Sequence, residues 1–572
     1  MLAVTLVSAL TLAVPQGPGP QVPAVPSPVP SADSQRVVRR ARSEQAGFEL
    51  FRRARLPIGY RSSDPCEVRI GRYCYWRGDE DDDKPPPPEV PAIRQRREQL
   101  LHVLDSATTV LKGDTWLTGQ IVRYLVETDS IDAALRTARD KCEASASWCH
   151  ALAGYAAHRG GRFATADSEF ATALSSMDSS RQCEWLDISK LITDELSARY
   201  EKLDCPGRVA LARHALRVGS PLYSVSQSDL LTEHLARVTR GRIAERSAAP
   251  DGWAWADDVN ELMMRYGWPR WYSRTVPSIG SQEPPSIIGH DAGMPYNFLP
   301  GNTALEHPGD VTQKDWQLDD PRAVTGYAPS YLRTIHDVPN QIARFRRGDT
   351  TLVVAAWDAR RDTTLIGRPL DAALVIWAND STRAITRRTA ARDTGTIATT
   401  AVVGAGLVSL ELLAVADRRA ARVRIGIPPR DTTTVALSDL LLYMPSDEPV
   451  NSLDAVRGRA LASTIIPASH EIGAFWEAYG LGVLSDPVHF TLTIEPVEVG
   501  WMRRVAEALR FADPTRALRV QWEEVPLRTD GFAGRGVRVG VAQLRAGKYR
   551  MQLLVEAPGG KAATTTREIE VR

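Results

Sequence analysis

The 572 residues exceed what one hydrophobic core usually serves, because domains hold about 100 to 200 residues, so the length predicts three or four folded units. The hydrophobic share of 43% and the charged share of 24% are typical of globular protein, which excludes wholesale disorder and a polytopic membrane protein. Seventy Lys and Arg residues balance 69 Asp and Glu residues, and this net charge of +1 provides no field that would attract nucleic acid or an anionic membrane.

The N-terminus carries an uncharged apolar run from Leu2 to Val14. A run of this length matches the core of a secretory signal and is too short to span a bilayer. No Lys or Arg precedes it, and Leu12-Ala13-Val14 is only a rough cleavage site. We expect export to the periplasm, the cell envelope or the medium, with no transmembrane span in the mature chain.

Proline alternates with small residues from Pro15 to Pro30, and an acidic run at 79–83 is followed by four prolines. Neither composition can bury a core, so we expect disordered linkers at 15–46 and 78–91. The acidic run lacks the central glycine and distal glutamate of a calcium-binding loop, which leaves a solvated linker as the better interpretation.

Six cysteines form three pairs that are close in sequence: Cys66 with Cys74, Cys142 with Cys149, and Cys183 with Cys205. Six cysteines permit fifteen pairings, and bonding between nearest neighbours is the simplest. The alternative is a metal site, but the chain has no Cys-x-x-Cys and only Cys149-His150 looks ligand-like. We predict three disulfides, no bound metal and no cofactor.

Residues 93–246 show helical spacing and contain a repeat with a period of 32 residues. In it, Ile131, Ala134 and Ala138 recur as Phe163, Ala166 and Phe170. The second unit, with Ala153-Gly154 and Gly161, resembles the second half of a tetratricopeptide consensus, in which small residues let paired helices approach. Only two units are visible, and because a solenoid normally needs three, the flanking helices must cap them.

Beyond Thr350 the sequence changes to short β-branched runs separated by polar turns, which favours sandwiches. The predicted strands are Thr351–Ala356, Ala373–Trp377, Leu407–Val415, Arg422–Ile427, Val435–Tyr443, His489–Ile494, Leu518–Val525, Val537–Val541, Tyr549–Glu556 and Thr566–Val571. They form two antiparallel modules or one large one, with a helix predicted at Met502–Phe511.

No nucleophile elbow, phosphate loop, dinucleotide fingerprint or zinc-protease helix occurs in the sequence. The best acid/base pair is His290-Asp291, since a histidine titrates near neutral pH and a carboxylate can orient it. Adjacent residues seldom face each other, so we assign no catalytic residue.

Four of the fourteen tryptophans lie between Gly252 and Arg274. This stretch resembles the GWxTD family of exported bacterial proteins, named for a motif followed by an Arg-Tyr-Gly-x-Pro turn. The residues at the motif positions are Trp255, Asp258, Arg265, Tyr266, Gly267 and Pro269. Ala254 and Asp257 depart from the family's glycine and threonine.

Other segments resemble the same family in the same order. Leu231-Thr232-Glu233-His234 with Arg237 is similar to the helix before the motif, and Leu437 to Leu440 is similar to a Ser-Asp strand after it. Glu477 to Leu481 and Leu544 to Tyr549 resemble its later β elements. The resemblance covers about residues 225–572 and implies export and a β-rich fold, but no established activity.

Two hypotheses describe the motif. In the first, Leu262, Met263 and Met264 form a buried strand or turn that docks the helical half against the β half. In the second, Asp258 pairs with Arg265 beneath an aromatic surface that stacks on a sugar or peptide, and the tryptophans of that surface are Trp253, Trp268 and Trp271.

The sequence thus predicts an α+β multidomain protein, with a tetratricopeptide-like helical region followed by antiparallel β-sandwich-like domains. Its segments are a signal peptide (1–14), a proline-rich linker (15–46), a small cysteine-containing segment (47–77), an acidic linker (78–91), a helical domain (92–247), the motif with a long loop (248–345), a β domain (346–447) and a second β domain (448–572). We expect a non-enzymatic binding or scaffold protein for a protein or cell-envelope partner, which includes glycans. The alternative is a hydrolase-type enzyme with an acid/base site in the loop 277–345.

Overall fold

The computed structural model describes residues 32–59, 66–76, 87–275, 285–290, 295–316, 318, 323–380, 382–402, 404–429, 435–468, 471–481, 487–497, 517–525 and 531–572. The predicted signal segment, the proline-rich stretch up to residue 31, the acidic run, Asp291 and the predicted helix Met502–Phe511 lie outside these residues. The described residues form an α+β multidomain protein.

The front half is helical. Its helices are α1 (Ala32–Arg53), α2 (Pro91–Thr108), α3 (Thr115–Glu127), α4 (Ile131–Asp140), α5 (Ala146–Arg159), α6 (Phe163–Ser175), α7 (Ser179–Trp185), α8 (Asp194–Tyr200), α9 (Cys205–Val218), α10 (Asp229–Ala244) and α11 (Asp257–Tyr266). Two short helices follow later in the chain, α12 (Asn302–Glu306) and α13 (Leu453–Arg457).

Helix α1 corrects the predicted linker, since residues 32–46 are helical. Its Ala41 and Phe48 are buried against Leu100 and Leu104 of α2 and Tyr124 of α3. Ala41 and Phe48 are seven residues apart and so lie on one helix face, and this apolar stripe offsets the cost of ordering an otherwise polar segment.

The two repeat units are antiparallel helix pairs, α3 with α4 and α5 with α6. An ideal Cβ on Gly154 of α5 would lie 2.9 Å from the Phe170 ring of α6, so only glycine permits this approach. The small residue and the aromatic ring therefore meet as the repeat pattern predicts, while the tetratricopeptide assignment stays a prediction.

The three disulfides join the predicted cysteines. Cys66 bonds Cys74, Cys142 bonds Cys149, and Cys183 bonds Cys205, with Cα separations of 5.6 to 5.7 Å. The first closes a two-stranded hairpin, β1 (Val68–Ile70) with β2 (Tyr73–Tyr75), and the others lie in the helical domain. Nearest-neighbour pairing is confirmed.

The rest of the chain is mostly β. The strands are β3 (Trp271–Arg274), β4 (Ile287–His290), β5 (Thr334–His336), β6 (Asn340–Arg347), β7 (Thr350–Asp358), β8 (Leu370–Asn379), β9 (Thr382–Ala391), β10 (Thr394–Ala401), β11 (Gly406–Ala414), β12 (Arg419–Ile427), β13 (Ala436–Leu437), β14 (Leu441–Tyr443), β15 (Ile465–Ile466), β16 (Glu471–Tyr479), β17 (Val488–Pro496), β18 (Leu518–Glu524), β19 (Phe532–Gly540), β20 (Gly547–Ala557) and β21 (Lys561–Val571).

The strands form two sandwiches, where the sequence predicted either two modules or one large one. In the first, the sheet β10-β7-β6 shares one core with the sheet β5-β12-β11-β8-β9. In the second, the sheet containing β13, β14, β16 and β19 packs on β15-β21-β20-β17-β18. The boundary differs from the predicted 447/448, because β13 and β14 pair with β16 and belong to the second sandwich. Two edge pairs, β5 with β12 and β15 with β21, are parallel, so the sheets are not purely antiparallel.

The helical domain docks on the first sandwich at the buried ion pair of Glu411 and Arg424. The Glu411 carboxylate of β11 accepts the backbone N–H groups of Tyr223 and Ser224 at 2.9 and 2.8 Å. Arg424 of β12 covers the Tyr223 ring at 3.6 Å and donates to the Ser220 carbonyl at 2.6 Å. The motif segment was expected to dock the two halves, and its Met264 lies in the core cluster that the helical domain shares with Ile335 and Ala420 of the first sandwich. Among the described residues, no helix has the length and apolar character needed to cross a membrane.

Candidate functional site

The motif forms helix α11, where a buried strand or turn was predicted. Asp257 and Asp258 occupy its first turn and Arg265 its last, so all three charges complement the helix dipole. Gly267 ends the helix with φ of 84°, and its N–H donates to the Met263 carbonyl at 2.8 Å. These acidic start and glycine stop signals are present in the sequence and predict a helix.

The predicted pair of Asp258 with Arg265 does not form. Asp258 accepts two hydrogen bonds from the Arg72 side chain, at 2.7 and 2.8 Å, and a third from the Arg72 backbone. Arg265 instead pairs with Glu261 at 2.9 Å. The side-chain hydrogen bonds from Arg72 hold the pKa of Asp258 well below its usual range. Asp258 thus fastens the hairpin β1–β2 to the motif helix, and Tyr266 adds a stacked contact with Tyr75 at 3.8 Å.

The motif tryptophans contact different partners. Trp253, 49% exposed, lies beside Tyr73 and beneath the Arg72 guanidinium. Trp255 packs against Gly241 of α10, where an ideal Cβ would lie 3.3 Å from the indole. The other two are further along the chain, and each has its own ring partner: Trp268 contacts Tyr155, and Trp271 stacks on His290 at 3.7 Å. No ring contact within the described residues joins the indoles of Trp253, Trp268 and Trp271 into the predicted aromatic surface.

His290 contacts a serine in place of its sequence neighbour. Its Nε2 lies 2.8 Å from the Ser273 hydroxyl across the hairpin β3–β4, while Asp291 lies outside the described residues. Burial lowers the pKa of His290, which favours the neutral imidazole. Ser273 is fully buried, and an ideal Cβ on Gly59 would lie 2.1 Å from its Oγ. A nucleophile must reach its substrate, and the Gly59 backbone covers this hydroxyl.

The C-terminal end of the motif lines a cleft between the helical domain and the segment 295–331. Its volume is about 40 Å³. Helices α5, α6 and α10 form one wall, and the turn after α11 forms another. The lining residues are His158, Arg159, Phe163, Glu233, Arg237, Tyr266, Gly267, Trp268, Arg270, Pro295, Tyr327, Ala328 and Ser330.

A buried ion cluster forms the floor of this cleft. Glu233 of α10 contacts the His158 Nε2 at 2.7 Å and accepts from the Arg237 Nε at 2.6 Å. Burial alone would raise the pKa of Glu233, but Arg237 and His158 outweigh it and hold that pKa well below its usual range. Arg237 also donates to the carbonyls of Met264 and Gly326 at 2.9 Å, so it satisfies the end of α11 and joins it to the cleft wall.

Two arginines at the cleft have no carboxylate partner among the described residues. The Arg159 guanidinium lies 5.1 Å from the Trp268 ring, and its buried Nε has no hydrogen-bond partner within the described chain. Arg270 lies at the mouth, partly exposed. Burial, followed by the nearby charge of Arg159, lowers its pKa to about 10, so Arg270 stays charged at neutral pH.

Of the cleft residues, Tyr266, Gly267 and Trp268 were predicted as motif residues, while Glu233 and Arg237 were named only as part of the family-like helix. Their sequence signal is the spacing, since two opposite charges four residues apart share one face of a helix. Arg159 and Arg270 come from distant segments, and only the fold brings them together. The described residues contain no group of His, Cys, Asp or Glu side chains that could hold a metal ion.

Comparisons with known proteins add little to this description. No family model matches the chain, and no curated protein matches it. Similar solved structures include red sea bream transglutaminase, with 11% identity and a TM-score of 0.13 over 41% of this chain and 31% of that one. The E. coli alpha-2-macroglobulin has 10% identity and a TM-score of 0.15 over 45% of this chain and 18% of that one.

The three domains FN1-FN3 of chicken CNTN1 have 11% identity and a TM-score of 0.14, over 52% of this chain and 76% of that one. The chain thus spans less than a third of the length of the transglutaminase and macroglobulin chains. At these TM-scores the similarity supports no statement about the function of this protein.

Proposed function

We propose that this protein is an exported, non-enzymatic binding protein that uses the cleft beside the motif helix to hold a group on a protein or cell-envelope partner. The observation that carries the proposal is the cleft itself. Motif residues line it together with two arginines whose charges no described carboxylate neutralises. A site built to bind displays such unsatisfied polar groups beside aromatic faces.

Export is supported by the disulfides and by the apolar N-terminal run. Disulfides persist in oxidising compartments and are rare in the cytosol, and all six cysteines are bonded. Membership of the GWxTD family is part of the same proposal. Several residues that carry the resemblance, Glu233, Arg237, Tyr266 and Gly267, lie together at the cleft.

Filling the cleft tests the proposal. Ser330 lines it, and Ser330→Trp would occupy its small volume. The matched control is Ser168→Trp, on the exposed face of α6 and outside the cleft lining. Binding of the purified full-length protein to washed cell envelopes of the source organism would be measured as a saturable isotherm. We expect Ser330→Trp to weaken it at least tenfold and the control to leave it unchanged; equal isotherms for all three would contradict the proposal.

The enzyme alternative rests on the contact between Ser273 and His290. A fluorophosphonate probe, which labels activated serines, distinguishes it from the binding function. We expect no labelling, because Ser273 is fully buried. Labelling of the wild-type protein that Ser273→Ala abolishes would establish a hydrolase-type serine instead.

A further inference from the structure

We propose that Arg159 and Arg270 form a binding site for a carboxylate group on an organic ligand at the mouth of the cleft. This inference rests on the proposed binding function and names the chemistry that the cleft recognises. It follows from the charge, the hydrogen-bonding capacity and the surroundings of the two side chains.

The charge of the cleft is one-sided. Among the described residues, its lining includes Arg159, Arg237 and Arg270 but one carboxylate, Glu233, which is already bound to His158 and Arg237. Without counting His158, the described lining holds two more positive than negative charges, although the whole protein is nearly neutral. Arg418, which donates to the Ser330 carbonyl at 3.3 Å, adds a further positive charge near Arg270. This local excess favours an anion.

The hydrogen-bonding capacity is unused. The Nε of Arg159 is buried and unpartnered within the described chain, and leaving a charged donor unsatisfied in that way is costly. No described residue forms an ion pair or side-chain hydrogen bond with the Arg270 guanidinium. Two like charges brought together without a carboxylate repel each other, and a bound oxyanion would relieve that repulsion while accepting from both groups.

The surroundings favour a carboxylate over a phosphate. About 40 Å³ leaves room for about three water-sized groups, which suits the head of a carboxylate. The rings of Phe163, Trp268 and Tyr327 also line the cleft and offer apolar faces to a carbon skeleton. A phosphate carries up to two charges and is strongly hydrated, so these apolar walls suit it less well.

A pair of probes that are matched in shape but differ in charge tests the assignment. Phenylacetate and its neutral counterpart phenylacetamide have nearly the same shape, and each would be titrated into the full-length protein while the Trp268 indole resonance is followed by NMR. We expect phenylacetate to bind at least tenfold more tightly, with an affinity that falls as NaCl is raised from 50 to 500 mM. Inorganic phosphate is the third probe, and we expect it to bind more weakly than phenylacetate.

Variants locate the binding. Arg270→Gln removes one donor group and should weaken phenylacetate roughly tenfold, the effect of one charge-assisted hydrogen bond. Arg270→Lys keeps the charge but loses the planar fork, so its affinity should fall between those of the two proteins. Arg388→Gln is the matched control, because Arg388 is exposed on strand β9 and does not line the cleft.

The carboxylate source is distinguished by a peptide with a free C-terminus, the same peptide amidated, and an amidated peptide that contains glutamate. Equal affinity for phenylacetate and phenylacetamide, tighter binding of phosphate, or an unchanged affinity in Arg270→Gln would each overturn the carboxylate site. If Ser330→Trp abolishes envelope binding while Arg270→Gln leaves phenylacetate binding intact, the binding function stands and only the carboxylate assignment fails.

Discussion

The buried Arg123 and the two cleft arginines, Arg159 and Arg270, differ in what neutralises their charge. Arg123 of α3 is buried, and its nitrogens donate to Glu127 at 2.9 Å, to Glu49 at 2.7 Å and to the Gln120 side chain at 3.3 Å. Arg159 and Arg270 lie together at the cleft, and no described carboxylate pairs with either. Burying a charge costs several kcal/mol unless it is paired. Arg123 therefore stabilises the fold only together with its full cluster of partners.

The comparison separates a structural role for charge from a binding role. The Arg123 cluster ties α1 to α3, since Glu49 also accepts the Tyr124 hydroxyl at 2.8 Å. Every group that Arg123 needs comes from the chain. The cleft arginines have hydrogen-bonding capacity that the described residues do not use and that a ligand can use. Substitutions in the Arg123 cluster should therefore change stability, and substitutions of the cleft arginines should change binding.

The largest effect is expected for Glu49→Ala, which leaves Arg123 buried with one carboxylate lost. We expect the free energy of unfolding of the helical domain to fall by about 3 to 5 kcal/mol, because the buried Arg52 and Arg123 then share the Glu127 carboxylate and one positive charge stays uncompensated. Urea unfolding followed by far-UV circular dichroism measures it. The control is Glu44→Ala, which removes a half-exposed pair with Arg96 and should cost at most about 1 kcal/mol. Equal losses in the two variants would remove the basis of the comparison.

The next largest effect is expected in the pH dependence of stability, at the buried carboxylate of Asp229, which forms no ion pair with a described residue. Burial raises the pKa of Asp229 to about 7, even though a hydrogen bond from the Tyr331 hydroxyl lowers it. The folded state therefore keeps a proton that the unfolded state has released above its pKa of about 3.8. Between these values the stability falls as the pH rises, since the unfolded state binds fewer protons. The wild-type protein should lose about 2 to 4 kcal/mol over this window relative to Asp229→Asn.

Unfolding measured at pH 5 and pH 8 in both proteins checks this. Other titrating groups, among them His234, whose pKa burial lowers to about 4, are common to both proteins and cancel in the difference. A constant difference between the two proteins from pH 5 to pH 8 would show that Asp229 is ionised throughout.

Sequence reasoning anticipated those parts of the fold that depend on local patterns. The β-branched runs predicted strands such as β7 and β8, and nearness in sequence predicted the cysteine pairs. Strand β16 was recognised only at its end, as the family-like stretch from Glu477. Its Glu477 is fully buried because Arg347, 130 residues earlier in the chain, neutralises it. A sequence cannot show such a partner.

The candidate site likewise contains residues that a sequence motif predicts and residues that only the fold brings together. Tyr266, Gly267 and Trp268 were named because they are adjacent in a motif, whereas Arg159 and Arg270 become neighbours only after α5 packs beside the motif turn. Asp258 shows the converse. Its predicted partner was seven residues away on the same helix, but the nearest guanidinium in space belongs to Arg72, on a separate hairpin. Charges find partners in three dimensions, and short sequence spacing is a poor guide to them.

Asp258→Asn should have a local effect. The pair with Arg72 is close to solvent, so its removal should leave the global unfolding transition in place while the hairpin β1–β2 loosens. Hydrogen exchange of the amides in 68–75 should become faster than in the wild-type protein. Because the folded pKa of Asp258 lies below its unfolded value, the same loosening should occur in the wild-type protein as the pH falls below about 4. Unchanged exchange in Asp258→Asn would mean that the disulfide and Tyr75 alone hold the hairpin.

The smallest effect on stability is expected for Arg270→Gln. Arg270 has no carboxylate partner among the described residues, and its charge repels that of Arg159, so removing it breaks no ion pair and relieves a like-charge contact. The free energy of unfolding should change by less than about 0.5 kcal/mol, as is usual for a surface substitution, and any change at low salt should be an increase. Thermal unfolding at 20 and 500 mM NaCl, compared with Arg388→Gln, measures it. A loss above about 1 kcal/mol would mean that Arg270 supports the fold, as Arg123 does, and would remove the difference between them. Unchanged stability together with weakened phenylacetate binding would show that a charge without a partner among the described residues serves a ligand.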